Sequence, residues 1–110
     1  MKTSSRNLLL LGVLTTATMA NADEATIKLY KAQCATCHGL DGRGQTTAGK
    51  KVGVKDWSDP KTLKAKSDAE IEQAIRIGKT ESDKELMPSF AKLGDAKIKA
   101  LVGYIRGFQK

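Results

Sequence analysis

The run Cys34-Ala35-Thr36-Cys37-His38 decides how this chain is read. Two thiols separated by two residues, with an imidazole directly after the second, form the attachment pattern for c-type haem. Thiols at this spacing can make thioethers to the two vinyl groups of one haem, and the adjacent imidazole is then carried beneath the iron as an axial ligand. Two other chemistries use similar residues. A thioredoxin-like dithiol wants a βαβ setting around its cysteines, and the flanking pattern here is helical. Structural zinc wants four ligands, whereas Cys34, Cys37 and His38 are the whole supply of Cys and His in the chain.

The same inventory bears on the second axial position. Met1 and Met19 lie in the N-terminal segment, so Met87 is the only methionine beyond residue 22. With a single histidine, bis-histidine ligation within one monomer is excluded. A lone methionine is ordinarily a core gap-filler. Beside Pro88 in a polar stretch, in a chain with a haem motif, Met87 is the expected second ligand. The proline biases it away from helical geometry, so it is expected on a loop.

Upstream, Lys2 and Arg6 precede an apolar run from Leu8 to Ala20, which ends in Ala20-Asn21-Ala22. This is a secretory signal pattern, with cleavage expected after Ala22. The apolar run falls short of the ~20 residues of a spanning helix, so no membrane span is expected after cleavage. Export to the periplasm suits haem attachment, and there a Cys-x-x-Cys pair suits ligand chemistry better than a fold-stapling disulfide. Residues 1–22 are thus read as a leader and 23–110 as one domain, small enough to need a cofactor to complete its core.

Within that domain, residues 24–33 read as a helix placing Ile27, Tyr30 and Cys34 on one face. The five glycines between Gly39 and Gly53 predict a loop. Ser67-Asp68-Ala69-Glu70 is a capping box that starts a second helix bearing Ile71, Ala74, Ile75 and Gly78 on one stripe. Ile98, Leu101, Val102, Ile105 and Phe108 mark a final helix from about Asp95 to Gly107. With no strand-length alternation, the expectation is a small all-α domain of three to five helices.

The net charge is +7, and loss of Lys2 and Arg6 leaves a basic domain without one dominant charged block. That balance favours acidic partners. Nucleic acid is not expected, because no dense Lys/Arg stripe is interleaved with aromatics.

Taken together, Tyr30 before Cys34-Ala-Thr-Cys37-His38-Gly39, Asp41-Gly42-x-Gly44, Met87-Pro88-Ser89-Phe90 and Tyr104 in a closing helix resemble the class I monohaem cytochrome c family, most closely its short bacterial c6-like branch. The resemblance spans nearly all of 24–109. It implies an all-α fold wrapped round one covalently attached haem c, first and last helices crossing near Tyr30, Leu101 and Tyr104, and outer-sphere electron transfer through a partly exposed haem edge. It implies a monomeric carrier rather than an enzyme, serving redox partner proteins with acidic docking surfaces. Two other functions stay open: a ligand sensor or small peroxidase-like protein with a dissociable Met87, and a module whose haem serves mainly stability.

Trp57 falls where the resemblance places haem-propionate contacts, as an indole N–H donor or as an aromatic filling the core; Arg43 and Lys55 are weaker propionate candidates. Lysines 50, 51, 55, 79, 84 and 92 are candidates to frame the haem edge. One departure stands out. Many family members carry a proline about a dozen residues after the proximal histidine, with a carbonyl that accepts the imidazole N–H; here that region reads Ala48-Gly49-Lys50, and the only prolines are Pro60 and Pro88.

Overall fold

In a computed structural model, Gly12 and residues 23–109 are described. The expected leader and its cleavage point after Ala22 lie, Gly12 apart, outside the described residues. Three longer helices form the frame: α1 (Glu24–Gln33), α5 (Asp68–Ile77) and α6 (Asp95–Arg106). Three short ones, α2 (Ala35–His38), α3 (Thr47–Val52) and α4 (Pro60–Lys64), line the route between α1 and α5. A small antiparallel hairpin, β1 (Lys79–Glu81) and β2 (Lys84–Met87), follows α5.

Helices α1, α3, α4 and α5 start where the sequence offers caps. Asp23 accepts from Thr26 N at 2.8 Å, and Ser67 and Glu70 close the reciprocal box that opens α5, satisfying backbone donors that a helix start leaves unpaired. The apolar stripe of α6 is buried at Ile98, Leu101, Val102 and Ile105. It packs on α1, where the fully buried Tyr30 lies 4.8 Å from Tyr104 and 5.3 Å from Phe108 between ring centroids. It also packs on α5 through Ile71 and Ile75. The crossing of first and last helices is therefore as expected, and each buried aliphatic side chain contributes about 1.5–3 kcal/mol.

Two sequence expectations are corrected, and one helix start is added. The glycine-rich stretch 39–53 is not loop throughout: Thr46 caps α3 by accepting from Gly49 N, and Gly53 ends it in the left-handed conformation at φ 75°. A capping threonine and a terminal glycine outweigh the single interior glycine. Asp59-Pro60 opens α4, aspartate as cap and proline in the first turn. Met87 lies not on a loop but at the end of β2, paired with Lys79. The pre-proline bias is toward extended backbone, and a strand end satisfies it as well as a loop does. The tight turn of this hairpin holds Ser82 and Asp83 at φ 48° and 64°.

Arg106, at the end of α6, ties the α4–α5 corner to the frame. Its guanidinium donates to the Leu63 carbonyl at 3.0 Å, the Lys66 carbonyl at 2.6 Å and the Asp68 carboxylate at 2.6 Å. The planar guanidinium fork spans these three separated acceptors at once, each from a different nitrogen. Replacing Arg106 by alanine is expected to cost about 2 kcal/mol in urea unfolding, and Arg106→Lys to recover little of it.

Candidate functional site

The helical geometry of α2 is what makes the motif a site. His38 N donates to Cys34 O at 2.9 Å and Gly39 N to Ala35 O at 2.8 Å, so Cys34, Cys37 and His38 stand at i, i+3 and i+4 on one face of a single turn. Cys34 is also the last cap of α1, its N–H bonded to Tyr30 O at 2.8 Å, which fixes the turn to the buried frame.

Three successive carbonyls of that turn are held by donors from elsewhere. Thr46 Oγ1 donates to Cys37 O at 3.0 Å, Gly44 N to His38 O at 2.8 Å, and the buried Tyr30 hydroxyl to Gly39 O at 2.7 Å. Burial raises the Tyr30 pKa, which keeps its proton on the oxygen as a donor. Gly39 sits at φ 82°, a region open to glycine at little cost. Thr46 Oγ1 also accepts from Gly49 N at 2.8 Å, so one hydroxyl joins α3 to the thiol-bearing turn. Gly49 is required by space: a Cβ there would run into the Cys37 carbonyl oxygen.

A second support holds Met87. Ser89 Oγ donates to Arg76 O at 2.6 Å and Phe90 N to Ile75 O at 3.0 Å, fastening the segment after β2 to the end of α5. Gly78, at φ 77°, lets the Met87 carbonyl and Pro88 approach where a Cβ would collide with both.

These supports converge on one cavity of about 330 Å³. Cys34, Cys37, His38, Trp57 and Met87 all line it, with Leu63, Ile71, Ile75, Leu101 and Ile105 among its apolar walls. Ala74, exposed on the α5 stripe, faces this cavity rather than the core. Of the two weaker candidates Lys55 lines the cavity, whereas Arg43 lies outside the lining and pairs loosely with Asp41 at 3.9 Å. Among the lysines suggested for the rim, Lys55 and Lys79 line it, and Lys66 joins them unforeseen.

Burial sets the protonation states. The Cys34 thiol is pushed up to about 11, and the His38 imidazole is pushed down to about 4; both shifts keep the group neutral. A reactive redox dithiol needs a lowered thiol pKa, so Cys34 does not suit that chemistry. A neutral imidazole with a free lone pair does suit a metal. Trp57 lies flat on His38, 4.0 Å between centroids at 12°, while His38 Nδ1 is buried with no hydrogen-bond partner among the described residues. Two thiols and an imidazole on one face, with a thioether at another part of the same apolar wall, fit a haem and fit no hydrophilic ligand.

A helical frame closed round such a cavity defines a small class I c-type cytochrome domain. The chain belongs to the family described as cytochrome C oxidase, cbb3-type, subunit III, whose family model matches residues 21–105. Among solved structures it is similar to the KustC0563 c-type cytochrome, at 35% identity and a TM-score of 0.68 over 77% of this chain and 98% of that one. A tyrosine-to-phenylalanine mutant of the same protein aligns at 33% identity and a TM-score of 0.66, over 76% and 98% of the two chains. No curated protein matches the chain. Family and neighbours make it a haem-bearing electron carrier.

The two helical glycines give contrasting tests of this geometry. Gly49→Ala should destabilise the domain by about 2 kcal/mol through overpacking against the thiol-bearing turn. At Gly103, where a Cβ would meet nothing within 4 Å, alanine should stabilise α6 by about 0.5–1 kcal/mol. Thermal unfolding of both variants checks the pair.

Proposed function

We propose that the chain is an exported, periplasmic, monomeric carrier of single electrons, holding one haem c through thioethers at Cys34 and Cys37 with His38 and Met87 as axial ligands. The observation that carries this reading is the convergence of Met87 on one apolar cavity with Cys34, Cys37 and His38, a turn far from it in sequence. When bound, the haem supplies a one-electron Fe(III)/Fe(II) couple.

Each part of the chain has its own task toward that group. His38 offers a neutral nitrogen, and the bonds to the carbonyls of Cys37, His38 and Gly39 keep its turn from shifting with oxidation state. Met87 offers a soft thioether, which favours ferrous iron; the fastening at Ser89 and Phe90 keeps it in place. Leu63, Ile71, Ile75, Leu101 and Ile105 exclude water, which favours the less charged state. Trp57 holds the imidazole plane and has an indole N–H to offer a propionate. With His38 and Met87 both holding the iron, no position would be left for a substrate, and the chain would act as a carrier. Its basic balance steers it to partners with acidic docking surfaces.

The ferric protein should show the weak far-red absorption band of methionine ligation, and the ferrous protein should not bind carbon monoxide. Met87→Ala should abolish the band and open the iron to carbon monoxide. Met87→His should lower the midpoint in a potentiometric titration, by the loss of the thioether's preference for ferrous iron. Ready carbon monoxide binding by the unaltered protein would instead favour a ligand-binding haem protein.

A further inference from the structure

The charge of the domain is distributed very unevenly. Residues 23–49 carry three basic and three acidic side chains, and residues 67–109 carry seven of each. Residues 50–66 carry six lysines, at 50, 51, 55, 61, 64 and 66, against Asp56 and Asp59. The whole positive excess of the described residues after the leader thus lies in 17 consecutive positions, counted from Lys50 to Lys66. The expectation of no dominant charged block is corrected on this count.

The structure gives that block a place and a direction. It comprises the second half of α3, all of α4 and the connection between them, and it supplies Val52, Val54, Trp57 and Leu63 to the cavity wall. All six lysines are exposed, and none has a carboxylate within salt-bridge distance among the described residues. The two aspartates are turned to the local backbone instead: Asp56 accepts from Ser58 N and Oγ at 2.8 and 2.6 Å, and Asp59 accepts from Lys61 N at 3.0 Å. Of the three lysines at the cavity, Lys79 is paired with Glu81 at 3.2 Å, which leaves Lys55 and Lys66 as the free rim charges.

We infer that the 50–66 segment is the docking surface of this carrier, and that its occupant is a redox protein presenting a cluster of carboxylates beside its own redox centre. The inference rests on the proposed carrier function and names the side of the cavity through which it works. A free charge at the rim attracts a carboxylate cluster over roughly a Debye length, ~10 Å at 0.1 M salt, and orients the encounter before contact. The hairpin side, where lysines alternate with Glu81, Asp83 and Glu85, gives no such net field. An acidic partner is therefore drawn to one flank of the cavity mouth, not to its whole circumference.

Two measurements on the haem-loaded protein test this. In the first, a glutamate oligopeptide is titrated at low ionic strength and backbone amide NMR shifts are mapped. Perturbations concentrated in 50–66 support the surface; perturbations spread evenly over α6 and the hairpin overturn it. In the second, two double reversals of equal net charge are compared, Lys55→Glu/Lys66→Glu at the rim and Lys97→Glu/Lys99→Glu on exposed α6. One electron passes from ferrous protein to hexacyanoferrate(III), giving ferric protein and hexacyanoferrate(II). The rim pair should slow this step about fivefold or more and weaken peptide binding in parallel, while the α6 pair changes either by less than about twofold. Hexaammineruthenium(III), a cationic oxidant, should show the opposite sign with the rim pair. Equal effects of the two pairs would mean that only net charge matters and would overturn the inference. Absorption spectra of the same samples separate this from failure of the carrier reading, which would appear as loss of the haem spectrum in the unaltered protein.

Discussion

Everything in this domain that bears on redox chemistry depends on one helical turn, Cys34 to His38, being held still. That turn brings two thiols and an imidazole to a common face by its own hydrogen bonds, yet a four-residue helix has too few bonds to persist alone. Its persistence comes from outside. Tyr30, Gly44 and Thr46 each donate to one of three consecutive carbonyls at its end. The first of these is rooted in the buried α1–α6 crossing, the other two in the glycine-rich stretch. The turn is thus bonded both to the core and to the wall that follows it.

This arrangement gives a physical account of the missing proline. In chains that have one, ring rigidity fixes the backbone that follows the proximal histidine. Here Thr46 caps α3, and Gly49 allows α3 to press against the Cys37 carbonyl. Helical hydrogen bonding and close packing hold this backbone without a ring, at the expense of requiring a residue without a side chain at position 49, and they leave His38 Nδ1 without an acceptor among the described residues.

The parts of the fold legible in the sequence were those with a strong local signal. The α6 stripe, the Ser67–Glu70 box and the thiol–imidazole motif each carry their own geometry. Tyr30 was legible as a core residue, but its hydroxyl bond to Gly39 O was not, because that bond joins residues whose meeting depends on the turn between them. The hairpin has no strand signal because its strands are short and, Leu86 and Met87 apart, exposed and polar, so no apolar alternation marks them. Thr46 as a cap and Asp59-Pro60 as a helix start were readable in principle; the density of glycines hid the first and the shortness of α4 the second. Lys66 was missed at the rim because only tertiary packing turns the α4–α5 corner toward the cavity.

The central claim is that one haem is bonded covalently to Cys34 and Cys37 in an exported chain. Mass spectrometry of the protein purified from the periplasm, after acid–acetone extraction and alkylation of free thiols, tests it most directly. The account predicts a chain beginning at Asp23 that retains the mass of a single haem and takes up no alkyl group. A chain that loses its pigment to the solvent and is alkylated at both cysteines would contradict it.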